Sequence, residues 1–195
     1  MALAAGTYAI FNTTEGKITV RLFETDAPLT VKNFIELAEG AKEWSHPTTR
    51  VKSSDKLYDG TVFHRVIPDF MIQGGDPKGT GNGEIGINFK NEPVADLKFD
   101  RPGRLAYANA GPGTNGSQFF VTEAAYPSLN GSYTIFGQCD DASVELVKKI
   151  SRVKRDSNDK PYTAVIIKHI KIDEGGTAKP TATKKPVAAR KTATN

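Results

Sequence analysis

One run of fourteen residues, Phe63 to Asp76, combines apolar side chains with a single arginine and a single glutamine. If the chain folds back at Pro68-Asp69, then Arg65, Phe70 and Met71 share one wall of a small pocket. Such a wall would hold an apolar group while the polar side chains donate hydrogen bonds to it. The alternative is a plain hairpin with a solvated arginine and a buried Phe-Met pair. On composition alone, the plain hairpin is the better interpretation.

A second segment, Arg104 to Val121, changes the balance between these two interpretations. In Ala108–Ala110 an asparagine stands between two small residues, which allows a ligand backbone to approach it closely. Gln118 and Phe120 are two residues apart, so on a strand they share one face and pair an amide with an aromatic ring. Both segments therefore combine apolar and hydrogen-bonding groups, as a binding groove requires.

Together the two segments resemble the cyclophilins, which are peptidyl-prolyl cis-trans isomerases. The resemblance covers roughly residues 7–173 and includes the turn from Gly79 to Gly83 and the stretch from Leu129 to Gly137. It implies a mainly β fold, a closed eight-stranded antiparallel β-barrel capped by two α-helices. It also implies an enzyme that accelerates X-Pro bond rotation in protein substrates and so assists protein folding.

The resemblance implies a role for each matching residue. Arg65 would donate to the prolyl nitrogen of the twisted peptide, because a donor aimed there stabilises the transition state. Gln73 would orient Arg65 and the substrate carbonyl, and Asn109 would hold the peptide backbone. The chemistry needs no nucleophile, metal or cofactor. The implied catalytic residues are Arg65, Phe70 and Gln73, and the implied substrate-binding residues are Met71, Gly79, Ala108, Asn109, Ala110, Gln118, Phe120, Leu129 and Tyr133.

Two positions depart from the commonest cyclophilin pattern. Ser128 stands where many members have Trp or another aromatic ring that supports cyclosporin binding, so we expect weak cyclosporin binding. Tyr133 stands where many members have His, and it keeps a ring with a polar tip at the rim of the pocket. Isomerisation depends on Arg65, which is present, so we expect it to be unaffected.

Sequence periodicity predicts the elements that would position these residues. Alternating polar and apolar residues predict a hairpin of Tyr8–Phe11 with Lys17–Phe23. A helix is predicted next, capped by Thr25 or Asp26 and ended by Gly40. Many short strands with few helices favour an antiparallel barrel over a doubly wound sheet. A second helix is predicted at 141–150. Residues 41–60 are predicted to form a long polar surface loop, in which Trp44 is expected to be a local packing anchor. Further strands are predicted at 61–66, 70–73, 104–107, 118–122, 133–137 and 163–172.

Size and composition limit the remaining possibilities. The 195 residues suffice for one packed domain, and no stretch reaches the ~20 apolar residues of a membrane span. The start lacks the basic and apolar regions of a signal peptide. Cys139 is the only cysteine, which excludes an internal disulfide and fits a reducing compartment. We therefore expect a cytoplasmic protein, with export of a trimmed precursor as the alternative that stays open. Cys139 is expected to be a small buried thiol.

The basic charge of the chain is concentrated at its end. Residues 175–195 hold five Lys or Arg and no acid, so their net charge is +5. The net charge of the whole chain is +4, so residues 1–174 carry 4 − 5 = −1. Their Lys/Pro/Ala/Thr composition predicts a disordered tail. The predicted division is a short lead at 1–6, a cyclophilin-like domain at 7–174 and the tail at 175–195. The tail resembles basic arms that contact nucleic acid or anionic surfaces, and an arm without a partner is an equal alternative.

Other interpretations stay open at this point. A non-catalytic module or chaperone that only binds proline-containing polypeptides is the alternative to the enzyme. His64 adjoins Arg65, but strand alternation directs the two side chains to opposite faces, so a structural histidine is expected. The Gly79 to Gly83 turn lacks the lysine and hydroxyl of a P-loop and is interpreted as an edge of the peptide groove. No long apolar edge is evident in the sequence, so we expect a monomer.

Overall fold

The computed structural model describes residues 3–175, which form a curled eight-stranded sheet, two α-helices and a separate two-stranded ribbon. The elements follow the chain as β1 (Gly6–Thr13), β2 (Lys17–Leu22), α1 (Pro28–Glu39), β3 (Trp44–Ser45), β4 (Lys52–Ser53), β5 (Arg65–Ile67), β6 (Met71–Gly74), β7 (Arg104–Tyr107), β8 (Phe119–Thr122), a short 3-10 helix (Pro127–Leu129), β9 (Ile135–Cys139), α2 (Asp141–Ser151) and β10 (Ile167–Gly175).

The main sheet is antiparallel throughout, in the order β10-β1-β2-β9-β7-β8-β6-β5. The prediction of a closed barrel is wrong, because the sheet is an open, strongly curled half-barrel. Val62 and Ile166 form an isolated bridge between the segments that precede the two edge strands, and the N–H of Phe63 donates to the Val165 carbonyl at 3.0 Å beside it. Strand β5 has only three residues. On its outer edge, the N–H of Val66 donates to the carbonyl of Asp159 at 2.9 Å. The loop after α2 therefore occupies the place where a closing strand would pair.

The larger apolar cluster lies between the sheet and the two helices. Phe34 of α1 is fully buried there, and its ring centroid lies 5.1 to 6.0 Å from the rings of Tyr58, Phe119 and Phe136. Aromatic pairs at these separations add to the free energy gained by burying the rings. The buried residues of α1 thus form the face that packs into the larger cluster.

The two helices begin in different ways. The carboxylate of Asp140 accepts the Ser143 N–H at 2.8 Å and so caps α2. The predicted cap of α1 is wrong. The N-cap residue is Ala27, which follows Thr25 and Asp26, and its side chain makes no capping hydrogen bond. In the first turn of α1, the N–H groups of Leu29 and Thr30 instead donate to the Glu92 carboxylate at 3.1 and 2.5 Å. A cap from sixty residues away leaves no local pattern in the sequence.

The segment 41–60 is more organised than its polar composition indicates. It contains the ribbon of β3 and β4, so the prediction of a loop without secondary structure is wrong there. Trp44 is buried and its Nε1 donates to the Asp55 carbonyl at 2.9 Å, which confirms the predicted packing anchor. The Ser45 N–H donates to the Ile85 carbonyl at 2.8 Å. The ribbon is therefore attached to the loop around residue 85.

The ends of the domain also differ slightly from the prediction. Gly175 is the last residue of β10 and pairs with Gly6, so the sheet includes one residue assigned to the tail and one assigned to the lead. The rest of the predicted disordered tail, residues 176–195, lies outside the described residues. Within residues 3–175, no helix is long and apolar enough to cross a membrane.

A buried carboxylate organises the loop that follows β6. Asp76 is fully buried and accepts the backbone N–H groups of Lys78, Thr80, Gly81 and Gly83 at 2.7 to 3.2 Å. A Cβ atom on Gly83 would lie 1.8 Å from Asp76 Oδ1, so only glycine allows the backbone to come this close. The loop is thus wrapped around one acceptor group.

We expect the substitution Asp76→Asn to destabilise the protein. Asparagine has nearly the same shape, but its amide replaces one acceptor oxygen with donors that would face N–H groups. The free energy of unfolding should fall by about 2–3 kcal/mol, measured by urea denaturation. The control is Asp96→Asn at an exposed acid, which should change it by less than about 0.5 kcal/mol. Equal effects of the two substitutions would contradict this role of Asp76.

Candidate active site

The strands that fill the core also build the site, because successive side chains of a strand point to opposite faces. On β8, Phe119 and Val121 belong to the larger cluster, whereas Phe120 belongs to a second cluster on the other face. The neighbouring strands show the same alternation. The second cluster consists of Met71, Phe99, Ala106, Phe120 and Ile135.

A pocket of about 230 Å³ opens over this second cluster. Phe120 is 5% exposed and Met71 is 2% exposed, so the inner wall is apolar and almost closed to water. The ring of Phe120 stacks on Phe99 at 5.8 Å and meets Tyr133 edge-on at 5.3 Å, which fixes its orientation. The pocket is lined by nine of the predicted site residues, Arg65, Phe70, Met71, Gln73, Ala108, Asn109, Phe120, Leu129 and Tyr133.

A second pocket of about 460 Å³ adjoins the first, and Gln73, Ala108 and Asn109 line both pockets. Gln118 and Ala110, two of the predicted binding residues, line this second pocket. Arg50, from the turn between β3 and β4, lines it as well. The two pockets together form one groove, because their linings overlap at Gln73, Ala108 and Asn109.

Gly79 is the one predicted binding residue that lines neither pocket. Its N–H donates to the Asp76 carbonyl at 2.9 Å, and a Cβ atom there would lie 3.3 Å from Val62 Cγ2. Gly79 has a φ of 66°, a conformation that glycine adopts without strain. Its place in the structure is therefore in the turn behind the groove edge.

The amide groups of the groove form a short hydrogen-bonded chain. Gln73 Nε2 donates to Gln118 Oε1 at 3.0 Å, and Gln118 Nε2 donates to the Gly81 carbonyl at 2.9 Å. Gln73 pairs with Arg65 in the strand register, but its amide nitrogen is engaged by Gln118. Among the described residues, no side-chain hydrogen bond joins Gln73 to Arg65, and the orienting role of Gln73 stays a prediction.

Arg65 lies at the rim of the first pocket with 46% of its side chain exposed. Its Nε is 4.0 Å from Oδ2 of Asp159, whose other oxygen accepts the Arg155 Nε–H at 3.1 Å. Asp159 has a φ of 63° in the loop after α2. Sequence reasoning missed this acid, because it lies more than ninety residues from Arg65 and no local pattern connects them.

Asn109 is held by several polar neighbours. Its Nδ2 donates to the Ser132 carbonyl at 3.2 Å, and its Oδ1 accepts the Gly111 N–H at 3.2 Å. Asn115, a buried residue that the sequence did not single out, donates to Asn91 Oδ1 at 2.7 Å beside it. The side chain of Asn109 is thereby fixed next to the wall that both pockets share.

Three titratable side chains with shifted pKa values, those of His64, Tyr107 and Cys139, are buried. His64 is 6% exposed, burial lowers its pKa from the ordinary value, and neither ring nitrogen has a hydrogen-bond partner among the described residues. Burial also raises the pKa of the Cys139 thiol and raises the pKa of Tyr107 to about 12. Neither His64 nor Cys139 lines either of the two pockets of the groove.

Comparison with known proteins gives a consistent picture. The family model described as cyclophilin type peptidyl-prolyl cis-trans isomerase/CLD matches residues 8–172. Peptidyl-prolyl cis-trans isomerase A of Mycobacterium tuberculosis is 50% identical over 165 residues, which cover 84% of this chain and 91% of that protein. Peptidyl-prolyl cis-trans isomerase B of Streptomyces anulatus is 47% identical over 173 residues, which cover 88% and 99%.

Solved structures share the fold as well. A cyclophilin type peptidyl-prolyl cis-trans isomerase of Cryptosporidium parvum superposes with a TM-score of 0.75 at 36% identity, over 87% of this chain and 98% of that one. The structure of the same type of protein in the presence of the dipeptide Ala-Pro gives a TM-score of 0.73 at 38% identity, over 85% and 98%.

The buried state of His64 leads to a pH dependence of stability. Because the pKa of His64 is lowered in the folded state, the unfolded chain binds a proton near pH 6.5 that the folded chain does not. The free energy of unfolding should therefore fall as pH drops through 6.5 towards 5.5, by at most about 1.4 kcal/mol per pH unit. Urea denaturation at pH 7.5 and 5.5 measures this change.

The matched variant is His64→Leu, which suits a site where neither ring nitrogen has a partner. It should lose less stability than the wild type over the same pH interval, because its side chain does not titrate. It should also keep isomerase activity within about threefold, measured on a prolyl peptide, since His64 does not line the pocket. An equal pH slope in both proteins, or a large loss of activity, would show that His64 has another role.

Proposed function

This chain belongs to the cyclophilin-type peptidyl-prolyl cis-trans isomerases, and we propose that Arg65 provides its catalysis by stabilising a twisted X-Pro peptide. One observation carries the proposal, namely a guanidinium at the rim of an apolar pocket that is large enough for a proline ring. The pocket would hold the ring, and the arginine would act on the bond next to it.

Rotation of an X-Pro bond is slow because it breaks amide resonance. The barrier is about 18–20 kcal/mol, and the unaided reaction takes tens to hundreds of seconds. In the twisted state the prolyl nitrogen becomes pyramidal and carries a localised lone pair, which accepts a hydrogen bond that the planar amide cannot. A guanidinium N–H aimed at this nitrogen therefore stabilises the transition state more than either ground state, which lowers the barrier.

The apolar wall supports this step in two ways. Phe70, Met71, Phe120 and Leu129 would bury the proline ring and fix its position relative to Arg65. They would also exclude water, and a charge acts more strongly on a nearby dipole where water is excluded. No covalent bond forms and no proton is transferred in this mechanism.

Polar groups along the groove would hold the rest of the peptide still while the prolyl bond turns. Asn109 and Gln73 line both pockets, so they can bind the peptide backbone on either side of the proline. Gln118 keeps the Gln73 amide in place, and Tyr133 presents a hydroxyl at the rim. In this proposal Gln73 donates its second amide N–H to the substrate carbonyl, since the first is donated to Gln118.

The substrates that we propose are proline-containing polypeptides, as in assisted protein folding. The Cryptosporidium parvum structure obtained with Ala-Pro supports this class of ligand for a relative with the same fold. Ser128 is exposed in the 3-10 helix and offers no ring, which supports weak cyclosporin binding. A cytoplasmic monomer, and contact of the basic tail with nucleic acid or anionic surfaces, remain proposals based on the sequence.

We expect the substitution Arg65→Ala to remove most of the activity. Loss of the one donor aimed at the prolyl nitrogen should lower kcat/KM by about a hundredfold, as for other single donors that stabilise transition states. NMR exchange spectroscopy of a short Ala-Pro peptide measures the isomerisation rate. Circular dichroism checks that the fold is retained, which we expect because the Arg65 side chain is nearly half exposed.

Two controls sharpen this experiment. Arg65→Lys keeps the charge but not the planar fork, so it should recover only part of the rate. Arg101→Ala removes an exposed arginine that pairs only with Asp100 outside the pocket and should leave the rate unchanged. Unchanged activity of Arg65→Ala would refute the mechanism. Peptide binding without catalysis by the wild type would favour a binding module or chaperone instead.

A further inference from the structure

The hairpin of β5 and β6 carries most of the proposed catalytic machinery, and its turn adopts a strained conformation. Arg65 lies on β5, whereas Phe70 and Met71 follow the turn at Pro68-Asp69. Asp69 has a φ of 60°, which is unfavourable for a residue with a side chain. Such a conformation persists only where the surrounding structure holds it, so contacts from neighbouring residues must hold this turn.

Glu123 holds the turn through both its backbone and its side chain. It follows directly after β8 and is 4% exposed. Its N–H donates to the Phe70 carbonyl at 3.0 Å, and its Oε1 accepts the Asp69 N–H at 2.6 Å. The two bonds fix the residues on either side of the peptide unit between Asp69 and Phe70.

Arg152, at the C-terminal end of α2, completes this arrangement. Its Nη1 donates to both oxygens of Glu123 at 2.9 and 2.8 Å, and its Nη2 donates to Asp69 Oδ1 at 2.9 Å. Ser151 Oγ also donates to Glu123. A single guanidinium thus ties a buried carboxylate to the exposed side chain of the turn. Without Arg152, the Glu123 carboxylate would be buried with no cation beside it, which is costly.

Neither Glu123 nor Arg152 lines the pocket, so neither touches a substrate there. They act on residues that do, because Phe70 is bonded to the Glu123 backbone and its ring lies 4.5 Å from Tyr126 in the same segment. The same hairpin carries Arg65, whose neighbour Val66 is bonded to the loop after α2. The end of α2 and its following loop therefore support the catalytic hairpin from behind.

We propose that Glu123 and Arg152 are positioning residues, which set the distance between Arg65 and the apolar wall by holding the 68–69 turn. This inference rests on the proposed role of Arg65 in catalysis. It assigns to the end of α2 a function in the reaction, although this helix lies outside the groove. A small displacement of a catalytic group can cost as much as a hundredfold in rate, so the turn is a sensitive point.

The test is the substitution Arg152→Met, made in the wild type and in the Arg65→Ala background. In the wild type we expect kcat/KM on an Ala-Pro peptide to fall by about tenfold, because the hairpin loses its fixed position. In the Arg65→Ala background the added loss should be less than about twofold, because the group to be positioned is absent. The control Arg101→Met removes an exposed arginine–aspartate pair elsewhere and should have no effect.

This design separates positioning from general stability and from the proposed function. An equal tenfold loss in both backgrounds, or no loss in the wild type, would overturn the inference. An active Arg65→Ala variant would instead refute the proposed mechanism. If Arg152→Met does not fold at the assay temperature, Arg152→Lys replaces it, since lysine keeps the charge but cannot bridge two carboxylates with one planar fork. That variant should lose about threefold in kcat/KM, and an unchanged value would overturn the inference.

Discussion

The alternation of side chains along a curled sheet is the constraint on which the rest of this structure depends. Each of the central strands must fill the larger cluster with one set of residues and the second cluster, beneath the pocket, with the other set. On β8 this places Phe119 in the core and Phe120 in the pocket, so the stability of the sheet and the shape of the site are linked. The pocket wall is therefore built from the same strands that fill the core.

Three buried or half-buried charges give this apolar surface its chemistry and its shape. Asp76 gathers the backbone of the groove edge, and Glu123 holds the turn of the catalytic hairpin. Each carboxylate is buried yet satisfied by N–H donors, as buried charges must be. Arg65 differs, because it stands at the rim with only Asp159 at 4.0 Å. Its guanidinium thus retains hydrogen-bonding capacity that a twisted prolyl nitrogen can use.

Much of this could be predicted from the sequence, because local patterns specify local elements. The strand at Arg104–Tyr107, the helix α2 and nine of the pocket residues follow from local sequence patterns and the family motifs. The errors concern contacts between distant segments. The closed barrel and the cap of α1 each depend on a segment far away in the chain, such as the one that holds Asp159 or Glu92. Such contacts leave no signal in a single sequence.

The central claim is that Arg65 acts on the transition state and not on substrate affinity. The most direct measurement is the exchange rate between the cis and trans forms of an Ala-Pro peptide while it is bound, by NMR at saturating protein, for the wild type and Arg65→Ala. We expect the bound exchange rate to fall by about a hundredfold, whereas the Kd of each isomer should change by less than about threefold. A loss of affinity that accounts for the whole loss of activity, with an unchanged bound exchange rate, would contradict it.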